Sequence, residues 1–495
     1  MFFLRPEAYS APQSERDISY RCGGTGKRSR LGACAICESG AHSVVNEVNE
    51  VKFDNDVRRH NLQTWYSRVL LALMVLGLAV RIAIAIHGGL AAPPVPGTDA
   101  SEYDSYAWNL AQGRGYSGIS PDVIEPDGQL LEHPTAYRVP GTSVVWAGLY
   151  WSFGHRYSVV RVLYCILDTL TILLLYGIGR RCFSDSVALL GAAIYAVWPT
   201  ALMYSSQLQS EPLYTFLFCC FILIVLQFAE RPSWSRSIAA GALLGLAMLT
   251  RGNAVMMVAL MAPWSVWQFH RTPRLVVRSL AIPFVALAVL APWSIRNYEV
   301  FHSLIPFDTG GGDVLLGSYN RIIAFDPLYY GYWVYPTSSL PEYRDQITAP
   351  NNEVIRDHVE THLAVQWIRS HPGSWWYLAE SRFRRSWTPM LQPRSPLLYR
   401  VGMFASWGPI LVLFALGFFP SLIYFLRTNN PGWILHLGVL HFVLTALIFW
   451  GSSRFRYPVE GLCIIIASAT LVWFCEKIGE FRSVKGSGQT VTSEA

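Results

Sequence analysis

A series of about ten apolar runs, from 69–86 to 461–474, constrains the fold of this chain more than any other feature. The runs between them cover 159–176, 187–204, 213–228, 238–249, 254–267, 280–293, 403–425 and 433–450. A spanning helix needs about 20 residues, and flanking residues complete the shorter runs. With 52% of residues hydrophobic and only 15% charged, the chain reads as an all-α polytopic membrane protein of about ten transmembrane helices. Juxtamembrane helices and a small external subdomain account for the rest. The net charge of +6 lies mostly in loop arginines at membrane surfaces, and nothing in the pattern points to nucleic acid.

Basic residues in short loops favour the cytoplasmic side. Arg180, Arg181, Arg231, Arg236, Arg271, Arg274, Arg278, Arg427 and Lys477 share one side if the runs alternate and the first helix leads outwards. The apolar stretch 142–153 is then a re-entrant or interfacial helix, because a crossing there would send every later basic loop outside. This topology leaves large external regions at 87–157 and 297–399 and puts both termini in the cytoplasm.

The expected organisation is a cytoplasmic, disordered extension over 1–64 and a transmembrane module over 65–297, with a first external loop at 88–157. An external loop subdomain over 298–399, transmembrane helices over 400–476 and a cytoplasmic tail over 477–495 follow. Within the subdomain, 353–368 carries apolar residues at helical spacing and His371-Pro372-Gly373 supplies a stop. Its exit, from Trp375-Trp376-Tyr377 through Arg382, Arg384, Arg385 and Trp387, has the composition of an interfacial anchor. Cys34-x-x-Cys37 with Cys22 and His42 lacks the spacing of a common zinc module, and no metal site is expected. Neither external region contains cysteine, so no external disulfide is available. The first run acts as an uncleaved anchor, and a bacterial cytoplasmic membrane is the simplest location.

Function is concentrated in the ionisable residues that this topology gathers at external helix ends. Thr98-Asp99-Ala100-Ser101-Glu102-Tyr103-Asp104 places three carboxylates just after the first run. Alone it would be a solvated turn; beside arginines at the same depth it is a candidate acid–base site. Arg138 lies where the loop returns to the membrane, in Arg138-Val139-Pro140-Gly141, and its guanidinium suits a phosphate. Glu211, Arg251, Arg296, Arg454 and Tyr457 fall at other external ends. A charge facing lipid at mid-bilayer costs about 2.5–3.5 kcal/mol, so the set is expected to line a shared polar cavity. Arg81 and Asp168, deeper in their runs, read as structural partners.

These residues stand in motifs that resemble the bacterial GT-C glycosyltransferases, relatives of the protein O-mannosyltransferases and the lipid A aminoarabinose transferases. The motifs are Asp99-Ala100-x-x-Tyr103-Asp104, Asn109-Leu110-Ala111-x-Gly113-x-Gly115-Tyr116, Arg138-x-Pro140-Gly141 and Ser210-Glu211-Pro212-Leu213. Gly245-Leu246-Ala247-x-Leu249-x-Arg251-Gly252, Pro292-Trp293-x-x-Arg296-Asn297 and Arg454-x-Arg456-Tyr457-Pro458 complete them, over roughly 65–475. The resemblance implies an enzyme that takes a sugar from a polyprenyl-monophosphate carrier and transfers it, with inversion, to an acceptor at the outer face of the membrane. It implies Asp99 as the catalytic carboxylate and Arg138 as the carrier-phosphate contact, and Asp104 is a candidate orienting carboxylate. Glu211, Arg251, Arg296, Arg454 and Tyr457 follow as substrate-binding residues.

On that reading the partners are the polyprenyl-phosphate sugar, the bilayer, and a lipid, polysaccharide or protein acceptor; no cofactor is required. The match departs from the family where Asp99 is followed by Ala100 instead of a second acid, so Glu102 or Asp104 must supply any second carboxylate. The alternatives are a transporter or flippase of a lipid-linked or anionic substrate, and a polymerase or ligase using a diphosphate-linked glycan. No internal repeat supports transport.

Overall fold

The computed structural model describes residues 62–124, 130–350, 352–389 and 397–488. The segment expected to be a disordered extension lies outside them, apart from its last residues, 62–64. By contacts the chain divides into a unit over 4–72 and a unit from Leu73 onward. The described part of the first, 62–72, is the opening of one long helix, α1 (Leu62–His87).

A first loop region follows α1, with α2 (Asp99–Ala111), an antiparallel hairpin of β1 (Ser117–Ile124) and β2 (Leu130–Pro134), and α3 (Gly141–Phe153). Next come α4 (Tyr157–Cys182), α5 (Asp185–Ala196), α6 (Pro199–Tyr204), α7 (Glu211–Glu230), α8 (Trp234–Thr250), α9 (Val255–Phe269) and α10 (Pro273–Phe301). The second loop region holds α11 (Gly311–Ser318), α12 (Arg321–Phe325), α13 (Pro336–Ser339), α14 (Arg344–Thr348), α15 (Glu353–Ser370) and α16 (Ser374–Trp387). Finally α17 (Leu397–Arg427), α18 (Ile434–Ile448) and α19 (Ser453–Gly488) complete the bundle.

Among the described residues, seven helices are long and apolar enough to cross a membrane: α1, α4, α7, α10, α17, α18 with the turn before it, and α19. The other three expected spans fall on shorter helices. The run 187–204 is not one helix but two, of 12 and 6 residues, broken at Val197 and Trp198. Pro199 explains the break, since proline supplies no N–H and disfavours helical backbone in the residue before it. α8 and α9 have 17 and 15 residues. α8 packs unusually close to α10: a Cβ on Gly241 would lie 2.6 Å from Ile282 O, and one on Gly245 would lie 2.6 Å from Val289 Cβ. Two glycines four apart thus let the backbones meet, which supports helix pairing where lipid provides no hydrophobic drive.

The 142–153 segment is α3, of 13 residues and about 20 Å long, short of a bilayer. One face packs Trp146, Ala147 and Tyr150 against Ala100, Tyr103 and Ala107 of α2. Val144, Trp151 and Phe153 are exposed, as suits a helix lying at an interface.

The second loop region is an ordered subdomain. Asn352 caps α15, accepting from Val354 N at 2.9 Å and Ile355 N at 3.2 Å. Tyr319, Ile323, Val334, Trp367 and Leu378 form one apolar cluster, and Leu316, Leu340, Ile347 and Leu363 a second. Along α16, Trp376 is exposed, but Arg382 is wholly buried and donates to Ser318 O, Tyr319 OH and Leu447 O at 2.8–2.9 Å. Arg382 therefore fastens the subdomain to the end of α18, and the anchor-like composition of this helix is only partly surface.

Burial pushes the Glu360 carboxyl up to about 7 against its Arg356 partner, and pushes Asp313 up as well. The folded chain then keeps a proton that the unfolded chain, with the ordinary value of 4.5, has already lost. Stability should fall as pH rises from about 4.5 to about 7 and level off above that window. Melting temperatures of the detergent-solubilised protein across this range should show the slope, and Glu360→Gln should flatten it. An unchanged slope in the variant would assign the effect to other groups.

Candidate active site

Three carboxylates and three arginines alternate in one hydrogen-bonded ladder at the ends of α2, α7, α8 and α19. Asp99 opens α2, where a carboxylate also suits the positive end of the helix dipole. The start of α2 is set by Thr98, whose N–H donates to Ser101 Oγ at 3.1 Å. Glu102, three residues on, shares the face of Asp99. Arg138 donates from Nη2 to Asp99 Oδ1 at 3.0 Å and from Nε to Glu102 Oε2 at 2.7 Å.

Arg454, in the first turn of α19, donates from Nη2 to Asp99 Oδ2 at 2.8 Å and to Gln209 Oε1 at 2.6 Å. Its Nε donates to Glu211 Oε1. Glu211, wholly inaccessible at the start of α7, also accepts from Arg251 Nη1 at 2.7 Å. Arg251 in turn donates to Ser210 Oγ at 3.0 Å and lies 5.0 Å from the centre of the Phe455 ring. These contacts require the start of α7, the end of α8 and the start of α19 to sit at one level. Gly141 brings in Arg138: a Cβ there would lie 2.7 Å from Leu249 O, so only glycine lets the start of α3 press onto the end of α8.

Burial alone would raise the Asp99 carboxyl, but Arg138 and Arg454 outweigh it and hold Asp99 well below the usual carboxylate range. Glu102 goes the other way, raised chiefly by burial although Arg138 opposes it. Arg138 and Arg454 are each about a quarter exposed, and among the described residues Nη1 of neither has an acceptor. Two open guanidinium edges beside one ionised carboxylate have the donor chemistry that suits a phosphate ester. Among the described residues no group of three or more His, Cys, Asp or Glu is arranged to hold a metal ion.

The ladder unites Asp99, Arg138, Glu211, Arg251 and Arg454, five of the eight residues singled out in the sequence. The other three lie elsewhere. Asp104 accepts from Tyr150 OH and meets His155 Nε2, both at 2.8 Å, so the second carboxylate at Arg138 is Glu102. Five residues of helix turn a side chain about 140° from the first, which carries Asp104 away from Asp99. Arg296 donates to Thr135 O and Tyr116 O, each at 2.8 Å, and secures the base of the hairpin. Tyr457 donates to Asp168 Oδ1 at 2.7 Å inside the bundle, where Arg81 pairs with Asp168 at 2.6 Å. Gln209, Ser210 and Asp308 were not anticipated. Gln209 and Ser210 adjoin Glu211 in sequence, whereas no motif marks Asp308.

Residues 136–295 match the family described as dolichyl-phosphate-mannose-protein mannosyltransferase. Among curated proteins no sequence matches. The archaeal oligosaccharyltransferase AglB from Archaeoglobus fulgidus, in complex with an inhibitory peptide and a dolichol-phosphate, superposes with a TM-score of 0.52 at 15% identity. That match covers 86% of this chain and 52% of AglB, so the chain spans about half the length of that protein. The Archaeoglobus fulgidus enzyme tethered to an acceptor peptide gives 0.52 at 16% identity, covering 85% and 51% of the two chains. ArnT from Cupriavidus metallidurans bound to undecaprenyl phosphate gives 0.35 at 14% identity, covering 80% and 77%. The chain shares the polytopic GT-C fold of AglB, and its residues 136–295, from just before Arg138 to within α10, are similar to the dolichyl-phosphate-mannose-protein mannosyltransferase family.

Proposed function

We propose that the protein transfers a sugar from a polyprenyl-monophosphate carrier to an acceptor hydroxyl at the outer face of a bacterial cytoplasmic membrane. The observation that carries this reading is Asp99 shared between Arg138 and Arg454, each with an open guanidinium edge. The dolichol-phosphate bound to AglB lends the donor class support.

In the proposed step the acceptor oxygen attacks the anomeric carbon while the bond from that carbon to the phosphate oxygen breaks. The electron pair leaves with the phosphate and is stabilised by Arg138 and Arg454. The acceptor proton passes to Asp99. At rest the two guanidiniums make Asp99 a weak base. A bound phosphate draws their charge to itself, so donor binding raises the basicity of Asp99 when it is needed. Glu102, Glu211 and Arg251 keep the two arginines in place, and inversion follows if attack is opposite the leaving phosphate.

Arg138→Ala tests the donor site. It should weaken binding of undecaprenyl phosphate by about tenfold or more, the worth of a hydrogen bond to a charged group, while Arg296→Ala should leave that binding near wild type. Titration of carrier lipid into protein held in nanodiscs reads both. Equal binding by wild type and Arg138→Ala would count against the phosphate site.

A further inference from the structure

Asp308 differs from every carboxylate of the ladder. Asp99, Glu102 and Glu211 are each clamped by arginine, whereas among the described residues Asp308 has no cation within ion-pair distance. Its Oδ1 accepts from Gly310 N at 3.2 Å, and Oδ2 has no hydrogen-bond partner there. The backbone that carries it is tightly held: Asn297 Nδ2 donates to Ile305 O at 3.1 Å, Ser294 Oγ to Pro306 O at 3.0 Å, Trp293 Nε1 to Phe307 O at 2.5 Å, and Thr309 N to Ala136 O at 3.0 Å. A half-buried carboxylate on a loop held at Ile305, Pro306, Phe307 and Thr309, on both sides of it, is a positioned group, not a solvated tip.

Its position relates it to the phosphate site. A Cβ on Gly252, next to Arg251, would lie 3.7 Å from Asp308 Oδ2, and one on Gly310 would lie 3.1 Å from the carbonyl oxygen of Tyr137, next to Arg138. Asp308 therefore sits against the residue that follows Arg251, and Gly310, two residues on, against the one that precedes Arg138, yet Asp308 is paired with neither arginine. Burial pushes its carboxyl up to about 6 although Arg138 opposes the shift, so its charge is poorly compensated. A second negative group repels a phosphate, so Asp308 must face a neutral part of a ligand whose phosphate sits on the arginines. In a glycosyl phosphate the neutral part bonded to the phosphate is the sugar ring, and its hydroxyls are the donors that an acceptor-only carboxylate lacks here.

We propose that Asp308 accepts hydrogen bonds from hydroxyl groups of the transferred sugar while Arg138 and Arg454 hold the phosphate to which that sugar is joined. The proposal rests on the donor reading above and adds to it a residue that recognises the sugar.

The test compares two ligands in nanodiscs: undecaprenyl phosphate, and whichever of undecaprenyl-phosphate glucose, mannose, galactose or arabinose wild type binds most tightly. Asp308→Asn should weaken the sugar-linked ligand by about tenfold or more, and Asp308→Glu by less, with the bare carrier bound as by wild type. Retained carrier binding also shows that the variants are folded. Arg138→Ala should weaken both ligands together. The proposal is overturned if Asp308→Asn binds the sugar-linked form as wild type does, if it loses both ligands equally while Asp308→Glu binds both normally, or if wild type prefers no sugar-linked form to the bare carrier. Failure of wild type to bind undecaprenyl phosphate at all would instead remove the donor reading beneath it.

Discussion

Asp99→Asn should lower sugar transfer by about 10²–10⁴-fold, the contribution typical of a positioned general base, while the variant inserts and binds carrier lipid. Asparagine keeps the shape of the side chain and the start of α2 but cannot take a proton. The variant also separates the two roles proposed for Asp99. As a strut, Asp99 holds Arg138 and Arg454, and its loss should loosen phosphate binding. As a proton acceptor that competes with the phosphate for those arginines, its neutralisation should leave carrier affinity equal to wild type or tighter. Donor consumption and free carrier phosphate, followed by mass spectrometry in bilayers, give the first quantity, and lipid titration gives the second. Wild-type turnover in a correctly inserted Asp99→Asn protein would end the assignment of Asp99 as the base.

The sequence reveals the fold where physics is local. Apolar length marks the seven long helices, and the same measure shows that α3 is too short to cross. Pro199 carried the information that splits 187–204 in two, although a hydropathy run hides it. Charge at a helix end is costly enough to need a reason, and that singled out Asp99, Arg138, Glu211, Arg251 and Arg454, which the structure brings together. The same argument gathered Arg296 and Tyr457, which the structure places outside the ladder, because their partners are carbonyl oxygens of the hairpin base and a carboxylate on a distant helix. No local pattern marks those partners. Asp104 is a different case: helical spacing already separates it from Asp99 and favours Glu102. Asp308 stayed out of sight because its place depends on contacts from α10 and from residue 136.

Tyr457 leads to the other large effect, which is on stability. Asp168 is wholly inaccessible and accepts from Arg81 Nε at 2.6 Å and from the hydroxyls of Tyr195 and Tyr457, each at 2.7 Å. Arg81 is equally buried and donates further to Ala196 O at 2.9 Å and Gly77 O at 3.1 Å. Asp168→Ala leaves the guanidinium without its counter-charge and should cost about 3–5 kcal/mol, the loss typical when one partner of a buried pair is removed. Replacing both charges, as in Arg81→Met with Asp168→Leu, should cost much less, because an apolar pair leaves no stranded charge. Tyr457→Phe removes one hydroxyl and should cost about 1 kcal/mol. Unfolding of wild type and these three variants in detergent reads the values directly. Transfer per folded molecule should stay at the wild-type level in Tyr457→Phe, since the hydroxyl points to Asp168 inside the bundle and not to the ladder. A selective loss of turnover in a stable Tyr457→Phe protein would return Tyr457 to the substrate site and make the Asp168 cluster part of the chemistry.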